Sequence, residues 1–195
     1  LYNLSDGRMV LGVSPGEYRR HGAFAEYVAV PQHILYRVPA SVTFEQAAMV
    51  EPVAVAAHAV SLTPVAVGDT AVVVGAGMIG LCLVQVLRAA GCSRVFAVDL
   101  EAEKLELARK LGADAVLDPQ KADVARTVAE ATEGRGADVA FEAVGLTATV
   151  KTAANPVRRF GTVFVGLGER PSAWRPATEG LNFEFSPILK PLEPF

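Results

Sequence analysis

From Thr70 onward the chain alternates short apolar runs with longer stretches of helical spacing. "TAVVVGAG" reads as a strand entering a glycine turn, and Met78 to Ala90 repeats apolar residues at helical intervals. "RVFAVD" is a second strand, "EAEKLELARKLG" a helix ending at Gly112, and "DAVLD" a third strand. "DVARTVAEATEG" predicts a helix and "ADVAFEAVG" a fourth strand. A helix near Thr147–Val157 leads into "GTVFVGLG", the fifth. Strands and helices alternating at this pace predict an α/β fold, a doubly wound parallel sheet with helices on both faces.

The first 40 or so residues have a different texture. "FAEYVAVP" alternates and stops at Pro31, and "HILYRVP" is a second strand-like run stopped by Pro39. "TFEQ" offers a capping box, Thr43 with Gln46, that opens a short helix. Pro52 suits the first turn of a further helix running to about Ser61. Beyond Glu169 the rhythm breaks: Pro187, Pro191 and Pro194 exclude a long terminal helix or a central strand. These changes divide the chain at 1–62, 63–168 and an irregular tail, 169–195.

Composition adds exclusions. With 51% apolar and 20% charged residues the chain can build a core, which argues against disorder. A net charge of -3, and basic pairs only at Arg19–Arg20 and Arg158–Arg159, give no footprint for nucleic acid. No membrane segment or leader is visible, and the expectation is a cytoplasmic setting. Two cysteines, Cys82 and Cys92, make neither a disulfide framework nor a metal knuckle and read as buried thiols.

The strongest chemical signal is "VVVGAGMIG". Gly75, Gly77 and Gly80 stand in G-x-G-x-x-G spacing between an apolar strand and a helix. Gly75 permits the tight turn, Gly77 lets backbone approach a pyrophosphate, and Gly80 lets helix pack on strand. The helix start at Met78 and Ile79 then offers free N–H groups to the phosphates. The second strand ends at Asp99, 19 residues beyond Gly80, where an acid bonds ribose hydroxyls and repels a 2'-phosphate. That favours NAD over NADP, with Lys104 either at the same ribose or balancing Asp99. FAD uses the same turn, but usually near a chain's start.

One acid stands out elsewhere. Glu51 interrupts the apolar run "AAMVEPVAVAAHAV", where it needs a partner, a route to water or a role. A negative charge beside Pro52 at a helix start is favourable in itself. His58 follows on the same face but rises roughly 10.5 Å along the axis, too far for one zinc. It reads as a packed helix histidine. His21 and His33 are too scattered to form a site.

The order of pieces resembles the medium-chain dehydrogenase/reductase family, in its zinc-dependent, sorbitol dehydrogenase-like alcohol and polyol branch. "HGAFAEYVAVP", "LYRVPASVTFEQAAMVEPVAVAAHAV", "VGDTAVVVGAGMIGL", "VFAVDLEAEKLELARKLGADAVLD", "ADVAFEAVG" and "GTVFVGLG" carry the likeness. The resemblance implies part of a GroES-like catalytic domain followed by an incomplete Rossmann domain of about five strands. It implies hydride transfer between a small alcohol or polyol and NAD, aided by zinc in the whole enzyme. By position, Val144 and Gly145 resemble residues lining the nicotinamide ribose, and Val165, Gly166 and Leu167 those near its carboxamide. Glu51 matches the family's acid at the catalytic zinc, making it the one catalytic and metal-site candidate. The family often forms homo-oligomers.

The departures are specific. The family's catalytic cysteine and Gly-His-Glu segment are missing, and Ser5 stands where the last structural-zinc cysteine is usual. With Leu1 first and a proline-rich end, the expectation is a piece of a longer enzyme, inactive alone. Two alternatives stay open. One is a dinucleotide-binding module without catalysis, and the other a zinc-free relative of the quinone reductases, against which the Glu51–Pro52 helix start speaks.

Overall fold

The computed structural model describes residues 22–165. The chain separates into two compact units, 1–43 and 44–195. In the described part of the first, 22–43, one 3-10 turn covers Gln32–Ile34. The two runs expected as strands are extended at Pro31 and Leu35 but join no ladder among the described residues. A strand is defined by its partner, and backbone that is merely extended leaves its polar groups to solvent. Phe24, Tyr27 and Tyr36 are correspondingly exposed. The end of the structural-zinc-like segment, with Ser5, and the tail 169–195 lie outside the described residues.

The second unit opens with helices α1 (Phe44–Ala48) and α2 (Val50–Ser61). Helix α1 starts directly after Thr43, and Pro52 sits buried in the first turn of α2, as the capping and proline signals predict. The strand–helix series follows: β1 (Thr70–Val74), α3 (Met78–Ala89), β2 (Arg94–Val98) and α4 (Ala102–Lys110). Then come β3 (Ala115–Leu117), α5 (Val124–Ala131), β4 (Ala137–Glu142), α6 (Thr147–Ala154) and β5 (Val157–Val165). Helix α6 stops short of Val157 because Pro156 cannot continue it, and Val157 already begins β5. Among the described residues no helix is long and apolar enough to cross a membrane.

The five strands are parallel, in the order β3-β2-β1-β4-β5. The chain winds outward from β1 to β3, then returns to the other side of β1 as β4. That reversal opens a crevice between the carboxyl ends of β1 and β4. Strand β1 is buried along its whole length because both of its faces are covered. Ala71, Val73, Val95 and Phe141 face Ala59, Leu83 and Leu87 of α2 and α3. Val72, Val74, Phe96 and Ala140 face Val124, Val128 and Ala153 of α5 and α6. Each valine, leucine or phenylalanine so buried contributes about 1.5–3 kcal/mol by leaving water.

The opposite end of the sheet is pinned by Asp138, which is 6% exposed. Its carboxylate accepts the Thr70 N–H at 2.8 Å and the Arg158 Nε–H at 2.7 Å, and it also pairs with Arg135. One acid thereby ties β1, β4 and β5 together at their amino ends. This leaves the carboxyl ends for the site.

Candidate dinucleotide site

Three glycines shape the turn after β1, each for its own reason. Gly75 has φ +98°, and a Cβ there would lie 2.7 Å from Val144 Cγ2 and 3.1 Å from the Ala143 carbonyl oxygen. Its N–H donates to the Val98 carbonyl at 2.7 Å. At Gly80 a Cβ would fall 1.7 Å from the Gly75 carbonyl oxygen, so the first turn of α3 packs directly on the loop before it. Gly77 differs. A Cβ there would meet nothing within 4 Å, so the backbone borders open space at the start of α3. Among the described residues no side chain caps that helix, which leaves its first N–H groups facing the same space.

Asp99 stands across from this turn, just past β2 and half-buried. Its Oδ2 accepts the Ala76 N–H at 2.7 Å and its Oδ1 the Glu101 N–H at 3.0 Å. Each carboxylate oxygen keeps a further acceptor site. Asp99 thus holds the glycine turn in place with acceptor capacity to spare. Lys104 pairs with Glu101 at 2.7 Å, one helical turn away, rather than with Asp99. That hydrogen bond to Glu101, against some desolvation, raises its ammonium above the ordinary lysine range.

On the far side of the crevice are the ends of β4 and β5. Val144 and Gly145 lie exposed after β4, and Val165 closes β5 half-buried. Gly166 and Leu167 lie outside the described residues. A cavity of about 480 Å³ opens here, with Ile79, Val144, Gly145 and Phe164 on its walls. Phe164 stacks at a tilt on Phe141, ring centroids 5.7 Å apart. The cavity's other wall is α2, through Val55 and His58.

The structure therefore gathers Gly75, Gly77, Met78, Ile79, Gly80 and Asp99 on one lip, with Val144, Gly145 and Val165 opposite. Glu51 is not among the residues lining the cavity and is solvent-exposed in the first turn of α2, where its charge suits the helix dipole. No group of three His, Cys, Asp or Glu side chains that could hold a metal occurs among the described residues. His58 is exposed on the cavity wall rather than packed as its helical spacing suggests. Its apolar neighbours in sequence masked the fact that the packed stripe of α2 runs through Pro52, Ala56, Ala59 and Val60.

Sequence reasoning passed over Glu142, which is 1% exposed and also lines the cavity. The signal was present. "ADVAFE" ends a fully buried strand in a carboxylate, just as "RVFAVD" leads into Asp99.

A glycine-rich turn, a helix start, and an acid after β2 at the reversal of a parallel sheet define a Rossmann-type dinucleotide-binding fold. The chain belongs to the family described as zinc-binding dehydrogenase, whose model matches residues 79–187. It is 40% identical over 171 residues to (R,R)-butanediol dehydrogenase of Bacillus subtilis, covering 87% of this chain and 48% of that protein. It is 34% identical over 167 residues to sorbitol dehydrogenase of the same organism, covering 85% and 46%. Among solved structures it resembles a Sinorhizobium meliloti protein described as a zinc-binding dehydrogenase and bound to NADP. The TM-score is 0.69 at 36% identity, over 75% of this chain and 43% of that one. The chain thus spans about half the length of the curated relatives it matches.

Proposed function

We propose that these 195 residues are the cofactor-binding part of an NAD-dependent alcohol or polyol dehydrogenase. The observation that carries this reading is the contrast within the glycine turn. Gly80 leaves no room for a side chain, whereas Gly77 faces open space at an uncapped helix start. A pyrophosphate needs that combination of a rigid cradle, a bare backbone and converging N–H groups. Met78 and Ile79 begin the helix that would meet it, Asp99 would take the adenosine ribose, and Val144, Gly145 and Val165 would border the nicotinamide half. When bound, the nicotinamide supplies the hydride acceptor or donor.

NAD is preferred over NADP in this reading because the Asp99 carboxylate faces the place where a 2'-phosphate would stand. The Sinorhizobium protein's NADP makes the point worth testing directly. Thermal shift of the chain with each dinucleotide is the experiment. A larger stabilisation by NAD is expected, and a larger one by NADP, or none by either, sinks the reading.

The substrate class rests on the relatives, which are named for butanediol and sorbitol. A small alcohol or polyol is therefore the proposed substrate of the whole enzyme, with no role for nucleic acid or membrane. Zinc is proposed for the whole enzyme from its family alone. The described residues bring no second ligand to Glu51, so no step is assigned to a metal here. For this chain by itself, Glu51's place outside the cavity lining favours a second reading, a dinucleotide-binding module without turnover. Two unpaired, buried cysteines support a reducing, cytosolic setting, and the family supports a homo-oligomer.

A further inference from the structure

Glu142 is a costly residue to bury. Its Oε1 accepts hydrogen bonds from the Val144 N–H and the Gly145 N–H, both at 2.9 Å. The Thr149 hydroxyl lies 2.7 Å from the same oxygen and 2.7 Å from the Leu146 carbonyl. Oε2 is buried with no partner among the described residues. An apolar side chain of similar shape would fill the space without that desolvation cost. Core packing therefore does not account for the carboxylate.

What the carboxylate accomplishes is local. Two successive N–H groups converge on one oxygen, and Thr149 draws the first turn of α6 to it as well. The turn so gathered abuts the glycine turn. The Ala143 N–H donates to the Val74 carbonyl at 2.8 Å, and Val144 Cγ2 occupies the space that a Cβ on Gly75 would need. The same turn is one wall of the cavity that Ile79 also lines.

We propose that Glu142 is a positioning residue: through Oε1 it locks the Val144–Gly145 turn against the Gly75 turn, so that the site is formed before ligand arrives. The ligand in this proposal rests on the dinucleotide reading; the locking does not.

The test uses the 195-residue chain and the variants E142Q, E142L and T149V. Gln keeps one oxygen acceptor, Leu keeps none, and T149V removes a single donor should E142L fail to fold. Amide hydrogen exchange at Val144 and Gly145 is read without ligand, and NAD affinity by titration. Exchange at both amides should rise about tenfold or more in E142L and about threefold in T149V, while E142Q stays within about threefold of wild type. NAD dissociation constants should follow the same order, with circular dichroism confirming that each variant is folded. Unchanged exchange in E142L overturns the proposal, or in T149V if E142L does not fold. An E142Q that behaves like E142L overturns it too, since charge rather than an acceptor would then be required. If wild type takes up no NAD while the exchange order holds, the dinucleotide reading fails and the locking role stands.

Discussion

A methyl group on Gly80 would lie 1.7 Å from the carbonyl oxygen of Gly75. The obstacle is backbone on both sides, so no rotamer change relieves it. Gly80→Ala should therefore cost about 3 kcal/mol or more, at the upper end of overpacking effects. Gly77→Ala is the control, because its φ of -74° suits alanine and nothing crowds the new methyl. It should change stability by about 1 kcal/mol at most while weakening NAD binding about tenfold, since in the proposed reading the methyl would stand where the pyrophosphate approaches. Denaturant unfolding and NAD titration of both variants check this. Equal losses of stability would remove the distinction between the two glycines.

Asp99 has two tasks that one substitution can separate. It holds the Ala76 and Glu101 N–H groups, and in the proposed dinucleotide reading its charge would face the 2' position of the ribose. Asp99→Asn removes the charge and keeps one acceptor. Stability should fall by about 1 kcal/mol for the hydrogen bond lost. The preference for NAD over NADP should fall about tenfold or more, because a 2'-phosphate brings nearly two negative charges close to the carboxylate. Paired titrations with the two dinucleotides measure the ratio. A ratio indifferent to the substitution would show that Asp99 serves the turn alone.

The sheet was legible in the sequence because each βα unit satisfies its own local rules. Apolar runs of strand length precede helical spacing, and Asp123 caps α5 through the Arg126 N–H at 3.0 Å. The α6–β5 boundary was misplaced, the helix being carried past Pro156 to Val157, where β5 already begins. The first unit was not legible in the same way. "FAEYVAVP" carries a strand's alternation, yet alternation specifies only a face, and pairing depends on backbone elsewhere. The site divides similarly. Glycine spacing exposed one lip of the crevice, because its constraint is steric and sequential. Glu142 escaped notice because its partners, Val144, Gly145 and Thr149, are ordinary residues whose backbone and hydroxyl groups matter only once β4 has turned. Glu51 is the opposite case: of the readings open for an acid in an apolar run, the route to water at a helix start is the one the structure shows, on the exposed face of α2.

The amino end of the sheet should be acid-sensitive through Asp138. Burial pushes its carboxyl up, but the Thr70 N–H and the Arg158 and Arg135 guanidiniums outweigh this and hold it below the ordinary value of 3.8. A carboxylate with a lowered folded value stabilises the protein fully above its unfolded value and loses that contribution as pH falls through the folded one. The window therefore lies at and below 3.8. Asp138→Asn should lower stability near neutrality by about 1–3 kcal/mol, with the difference from wild type shrinking as pH drops below that value. Unfolding free energies from pH 7 to pH 3 would show it. A difference independent of pH would assign the loss to packing instead.

Cys82 and Cys92 are 3% and 4% exposed, and burial chiefly, with the Asp69 carboxylate adding and Arg88 opposing, pushes the Cys92 thiol up to about 11. The thiolate is the reactive species, so at pH 8 only about one Cys92 in a thousand is competent even before access is considered. Labelling by a disulfide reagent should then wait for the fold to open. Leu87 is fully buried at the carboxyl end of α3, and its carbonyl accepts the Cys92 N–H at 3.1 Å. Leu87→Ala should cost about 2–5 kcal/mol by leaving a cavity among Val84, Val95 and Ala108. The labelling rate of both thiols should rise by about thirtyfold or more, in step with the lost stability. Fast modification of Cys92 alone in the intact protein would instead mean that the α3–β2 connection opens by itself, independently of the core.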